Sequence, residues 1–181
     1  VCEVGPRDGF QNEKTFIPTA CKIEIVNMMF AAGVRHIQVT SFVSPRAVPQ
    51  LADAADVIAG ITRPAGSTLS ALIPNLKGAQ RAAAAGVDCI HTGVSASETH
   101  NLKNVNRSVD QSLRDFEAVT ALMHAKGITV EGGIATAFGC PFEGVMPPEQ
   151  VGRIAKRYQE LGAKRISLGD TTGMATPATV K

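Results

Sequence analysis

The feature that most constrains this chain is a regular alternation of short β-prone runs with helical stretches, each helical stretch closed by a glycine. The runs lie at residues 2–4, 36–40, 68–72, 88–92, 129–135 and 165–168. Helical apolar spacing fills residues 21–32, where Ile23, Val26 and Phe30 share a face, and helical stretches recur at 75–85, 112–126 and 148–161. Gly33, Gly86, Gly127 and Gly162 follow these stretches, at the position where a left-handed residue ends a helix. Two parallel strands need a long crossover between them, so this pattern predicts parallel βα units.

The spacing separates two ways of winding such units. Strands beginning near residues 2, 36, 68, 88, 129 and 165 are on average about 33 residues apart. An open doubly wound sheet carries a glycine-rich phosphate turn after its first strand. No two of the 17 glycines are two positions apart, so G-x-G-x-x-G is absent, and no G-x-x-x-x-G-K-[ST] occurs. A (β/α)8 TIM barrel with this spacing needs about 264 residues. The expectation is therefore one α/β domain over residues 1–181, a TIM barrel truncated here to about six strands, with its C-terminal units beyond Lys181.

Composition narrows the partners. With 44% apolar and 19% charged residues the chain can bury a core, and no apolar run approaches the ~18 residues of a membrane helix, so no membrane partner is expected. A net charge of +2, one Tyr and no Trp provide no basic, aromatic surface, and no nucleic-acid partner is expected either. Cys2, Cys21, Cys89 and Cys140 are too scattered for a metal knuckle or a disulfide framework, which fits a reducing cytoplasm. The sequon Asn106-Arg107-Ser108 is then expected to stay unmodified.

Barrel enzymes place their chemistry at the carboxyl ends of strands, and polar residues gather there in this chain. After the first run, Arg7 and Asp8 sit between Gly5 and Gly9. Arg7 suits an oxyanion or carboxylate and Asp8 a hard cation; a solvated Arg-Asp pair in a turn is the other reading. After the fourth, the segment from Gly93 to Asn104 offers hydroxyls, amides and Lys103 to carboxylate or phosphate oxygens, or forms a plain solvated loop. Asp170, after the sixth, is a supporting acid or a helix cap. Cys140, on a Gly-Cys-Pro loop, reads either as a nucleophile served by His91 or His100 or as a packed thiol. His36, His91, His100 and His124 contain no His-x-His or His-x3-His pair, so no metal site of familiar local spacing is expected.

Five segments together carry a resemblance: Glu3-Val4-Gly5-Pro6-Arg7-Asp8-Gly9-Phe10-Gln11-Asn12-Glu13, Thr40-Ser41-Phe42-Val43-Ser44-Pro45, Pro74-Asn75-Leu76-Lys77-Gly78, Phe138-Gly139-Cys140-Pro141-Phe142-Glu143-Gly144 and Ile166-Ser167-Leu168-Gly169-Asp170-Thr171. In order and over the whole chain, they resemble the 3-hydroxy-3-methylglutaryl-CoA lyase family of metal-dependent TIM-barrel lyases. The resemblance implies cleavage of 3-hydroxy-3-methylglutaryl-CoA to acetyl-CoA and acetoacetate, as in leucine degradation and ketone-body metabolism. A lyase for a different or longer 3-hydroxyacyl-CoA and a non-catalytic fragment or binding module are the alternatives. It implies an acyl-CoA substrate, a divalent metal (Mg or Mn) and room for a homo-oligomer.

Residue by residue, the resemblance makes Asp8 a metal ligand, with the remaining ligands, a His-x-His pair and an Asn, expected beyond Lys181. Arg7 becomes the cation that stabilises the enolate, and Gln11 joins them. Lys14 is placed near the CoA end, and Asn104, Ser108, Ser167 and Asp170 at positions that line or support the pocket. The family's catalytic thiol also falls beyond Lys181, so Cys140 is not that cysteine. Within the chain one position departs: the family's Glu is replaced by Gln38, which keeps hydrogen-bonding reach but loses a negative charge beside Arg7.

Overall fold

The computed structural model describes residues 1–181. Its strands are β1 (His36–Ser41), β2 (Thr68–Leu72), β3 (Cys89–Ser95), β4 (Thr129–Ala135), β5 (Gly139–Cys140), β6 (Gly144–Val145) and β7 (Arg165–Leu168). Its helices are α1 (Gly5–Gln11), α2 (Thr19–Ala31), α3 (Ala54–Gly60), α4 (Leu76–Ala85), α5 (Glu98–Val105), α6 (Val109–Ala125), α7 (Pro148–Glu160) and α8 (Pro177–Val180). The main sheet runs in the order β1-β2-β3-β4-β7, and β5 pairs antiparallel with β6. The main-sheet order follows the chain without doubling back, as in a barrel and unlike a doubly wound sheet, whose order reverses at a switch point. The chain divides into two compact units, Val1–His91 with Leu122–Thr129 and Thr92–Ala121 with Val130–Lys181.

In the first unit β1 pairs parallel with β2, and β2 with β3. The run at residues 2–4, expected as a full strand, is reduced to a single parallel bridge between Glu3 and Ile37. Glu3 N–H donates to His36 O at 2.9 Å and Gln38 N–H donates to Glu3 O at 2.7 Å. The expected six strands of the sheet are therefore five and a bridge. The cause is local: Pro6 has no N–H for a ladder but suits the first turn of a helix, so α1 begins at Gly5 where a loop was expected.

Helix α2 buries Val26 and Phe30, two of the three residues whose spacing predicted it. Helix α4 is bounded as its sequence predicts. The Asn75 side chain accepts from Gly78 N–H at 3.0 Å, and Gly86 closes the helix at φ 79°. Gly78 also permits close approach, since a Cβ there would lie 2.9 Å from Phe42 O. The buried face of the unit is formed by Ile37, Val39, Leu69, Ala71 and Ile90 with α2 and α3. Each large aliphatic side chain removed from water contributes roughly 1.5–3 kcal/mol.

In the second unit β4 pairs parallel with β7, and α7 follows Pro147 at its start. Buried Phe116 and Tyr158 meet edge to face, with ring centroids 4.8 Å apart. Tyr158 lies over Gly132, where any Cβ would come within 2.8 Å of its ring. The Tyr158 hydroxyl donates to Gly133 O at 3.3 Å, and burial raises its pKa above the ordinary phenol range. Helices α3 and α5 and the small β5–β6 ladder were not expected from periodicity, being short elements of seven, eight and two residues per strand.

Candidate active site

The short helix α1 places the Arg-Asp pair. Pro6 is buried and anchors the first turn, so Arg7 and Asp8 leave the helix at its more exposed side. Arg7 Nε–H donates to Gln38 Oε1 at 2.5 Å, and a terminal guanidinium N–H donates to Asp8 Oδ1 at 2.5 Å. Gln11 Nε2 donates to the same Asp8 oxygen at 3.1 Å, one helical turn on. The Asn12 side chain donates to Asp8 O at 2.7 Å, which sequence reading missed because a C-cap amide has no signature separate from a turn.

Gln38 is only 3% exposed, so its amide is a fixed acceptor rather than a solvated one. A register shift between Gln38 and Thr40 against β2 lies beside it. Bulges of this kind re-aim strand side chains next to functional sites. The Arg7 side chain is 18% exposed and that of Asp8 53%. Of the five guanidinium N–H groups, two are committed to Gln38 and Asp8, and three remain for an incoming oxyanion. Lys14, in the turn after α1, is exposed.

Asp8 fits one corner of a hard-cation site. It is an oxygen ligand, more than half exposed, whose Oδ1 is shared by two N–H donors while a carboxylate offers about four lone-pair sites. One carboxylate alone does not hold Mg²⁺ or Mn²⁺, so further ligands are required.

The second unit holds the remaining expected residues, Asn104 on α5, Ser108 before α6, Ser167 on β7 and Asp170 just after it. Ser97 caps α5 by accepting from His100 N–H at 3.0 Å and also receives the Cys140 thiol S–H at 3.0 Å. Burial works against the Cys140 thiolate. Hydrogen bonding from the Ser97 side chain and the backbone N–H groups of Phe142 and Glu143 outweighs it, and the thiol pKa is lowered. His100 Nδ1 pairs with Ser95 Oγ at 2.7 Å, so Cys140 and His100 are bonded to two different serines rather than to each other. Buried Asn101 accepts from Ser95 N–H at 3.0 Å and donates to Arg107 O at 2.8 Å, which ties α5 to the end of β3.

Asn104 is exposed on α5. Ser108 caps α6, its hydroxyl accepting from Gln111 N–H at 3.0 Å and its N–H donating to Gln111 Oε1 at 2.9 Å. Ser167 is exposed on β7, and Asp170 Oδ1 accepts from Met174 N–H at 2.9 Å, so this carboxylate shapes its own loop. Thr136, just past β4, holds φ 54°, rare for a β-branched residue. Its N–H donates to Thr171 Oγ1 at 2.9 Å. Strain of this kind, about 1–3 kcal/mol, gathers at functional rims.

The HMGL-like family model matches residues 1–181. The chain belongs to the HMGL-like family. It is 44% identical over 181 residues to the mitochondrial hydroxymethylglutaryl-CoA lyase of Rattus norvegicus, covering all of this chain and 56% of that protein. It is 45% identical to the cytoplasmic 3-hydroxy-3-methylglutaryl-CoA lyase of the same organism, covering 53% of it. The chain thus spans about half the length of the curated relatives it matches. Among solved structures, the HMG-CoA lyase from Acinetobacter baumannii in complex with coenzyme A and 3-methylmalate superposes with a TM-score of 0.94 at 43% identity, over 99% of this chain and 58% of that one. The hydroxymethylglutaryl-CoA lyase from Pseudomonas aeruginosa superposes at 0.93 with 44% identity, over 97% and 58%. These likenesses make this a HMGL-like chain of the TIM-barrel superfamily, as the strand order indicates. No helix is long and apolar enough to cross a membrane.

Proposed function

We propose that the whole protein cleaves 3-hydroxy-3-methylglutaryl-CoA into acetyl-CoA and acetoacetate. The observation that carries this reading is the aim of Arg7, held between buried Gln38 and exposed Asp8 with three N–H donors to spare. The relatives' HMG-CoA lyase activity and the coenzyme A bound in one of them support it. In the reaction a base takes the proton of the C3 hydroxyl, and the C2–C3 bond breaks. Its electron pair becomes the enolate of the thioester, and protonation of C2 gives acetyl-CoA while C3 leaves as the ketone of acetoacetate.

Arg7 serves the step at which charge appears. Its spare N–H groups face an enolate oxygen with a charge-assisted contact stronger in the transition state than in the substrate. Asp8 fixes a terminal guanidinium nitrogen while Gln38 fixes Nε, which sets the plane of the group. Gln11 turns its amide N–H to Asp8 and so holds the carboxylate. Asp8 would also be one ligand of a divalent cation, Mg²⁺ or Mn²⁺, which when bound polarises the substrate oxygens. The remaining ligands belong to the rest of the protein. Lys14 serves the CoA phosphates in this reading, and Asn104, Ser108, Ser167 and Asp170 are carried over one by one as substrate-pocket positions. The assignment carries with it a place in leucine degradation and ketone-body metabolism, and a cytoplasmic site of action.

The test is acetoacetate release from 3-hydroxy-3-methylglutaryl-CoA by the full-length protein with Mg²⁺ or Mn²⁺. Arg7→Gln is expected to lower kcat by about 10²–10³-fold, the cost of one lost oxyanion donor. The neutral Gln38 favours one second reading, a longer 3-hydroxyacyl-CoA, and turnover of that compound alone would support it. Coenzyme A binding without turnover of either would overturn the lyase reading in favour of a binding module.

A further inference from the structure

Three residues that no local motif connects are brought together in the first unit. Cys2 Sγ and one ring nitrogen each of His36 and His91 lie within 4.8 Å of one another. The pairing of the strands explains it. The Glu3–Ile37 bridge sets residue 2 beside the start of β1. Register then carries His36 to Thr68, and Leu72 to His91, so that ligands 34 and 55 positions apart in sequence share one side of the sheet. The two imidazole rings are 6.0 Å apart between centroids and tilted by 38°. All three residues are half-buried, neither sealed in the core nor loose on the surface.

A buried hydroxyl touches one imidazole. Ser70, on β2, has a single hydrogen, and its Oγ donates to Ile37 O at 3.2 Å. The same Oγ lies 3.2 Å from His36 Nε2, so the serine is within hydrogen-bond reach of the ring. A second partner that sets tautomer and ring orientation accompanies most metal-bound histidines.

We propose that Cys2, His36 and His91 form a binding site for a borderline-soft transition-metal ion of the Zn²⁺ or Co²⁺ type, with a fourth position open to water or another small donor. A Cys-His₂ set selects such ions over Mg²⁺ and Mn²⁺, which prefer oxygen. Tetrahedral bonds of about 2.0–2.3 Å place ligand atoms roughly 3.3–3.8 Å apart, so closure needs side-chain movements of about 1 Å. Cys2 binds as thiolate and its proton leaves to solvent. This site is separate from the oxygen site that Asp8 would serve, and it does not depend on the lyase reading.

The test is Co²⁺ titration of the metal-stripped full-length protein. The expected result is a thiolate-to-cobalt charge-transfer band with tetrahedral d–d bands, saturating at one equivalent and displaced by Zn²⁺. Cys2→Ser abolishes the charge-transfer band, and Ser70→Ala weakens binding by about 10–100-fold. His91→Gln weakens it at least as much, and Asp8→Asn leaves the band intact. X-ray absorption of the wild-type cobalt form should show one sulfur and two imidazole nitrogens in the shell, a readout that needs no variant to fold. A wild-type protein giving no charge-transfer band, an oxygen-only shell, or a band that survives Cys2→Ser would each overturn the proposal.

Discussion

Replacing Gln38 by Leu isolates the contact that aims Arg7. The wild-type bond, Arg7 Nε–H to Gln38 Oε1, is 2.5 Å long and its acceptor is 3% exposed, so water does not take the place of the lost oxygen. A hydrogen bond to a charged group contributes about 1.5–3 kcal/mol, and removing its acceptor strands a donor on a guanidinium that is itself mostly buried. If Arg7 meets charge only as the enolate forms, the loss appears in the transition state, and 1.5–3 kcal/mol corresponds to about 10- to 150-fold in kcat/KM. Gln38→Glu keeps an acceptor and turns the charge-assisted bond into an ion pair, so that variant should match or exceed the wild type. The assay is acetoacetate formation by the full-length protein, with thermal unfolding followed in parallel to show that each variant is folded. A folded Gln38→Leu protein within about twofold of wild type would refute the claim that Gln38 positions Arg7.

Two further outcomes follow from the same structure. Lys22 is 2% exposed and its Nζ donates to Asp53 Oδ1 at 2.7 Å and Gln50 O at 2.5 Å, so Lys22→Met should cost about 3–5 kcal/mol in urea unfolding by leaving Asp53 without its cation and with only the Thr19 hydroxyl as side-chain donor; a loss under about 1 kcal/mol would contradict this. The lowered Cys140 pKa means that the fold gains stability from the thiolate above the thiol's ordinary range and loses it as pH falls through the folded value; Ser97→Ala should move the ionisation back upward in an ultraviolet thiolate titration, and an unchanged midpoint would show that Ser97 is not its support.

The winding of this chain was legible because its determinants are local. Helical periodicity at Val26 and Phe30 and the left-handed stop at Gly86 mark elements by short-range sterics and burial, and both are found where the spacing puts them. The first run was misread for an equally local reason, since Pro6 starts a helix and only Glu3 pairs with β1. Arg7 and Asp8 could be singled out because they adjoin in sequence, and Gln11 was added by the resemblance alone; one turn of helix joins the three in the structure.

What tertiary structure alone decided is which distant residues meet. Gln38 takes Arg7 from 31 positions away because a bridge of one residue sets the start of the chain against β1. Cys140 is the packed thiol that one of its two readings expected, and it bonds Ser97 across 43 positions rather than a histidine. Cys2, His36 and His91 share no motif, and their scattered spacing argued against a metal site, yet parallel register gathers them within 4.8 Å. Helix and turn signals arise among near neighbours, whereas strand pairing depends on the packing of whole units, so the residues it joins leave no local trace.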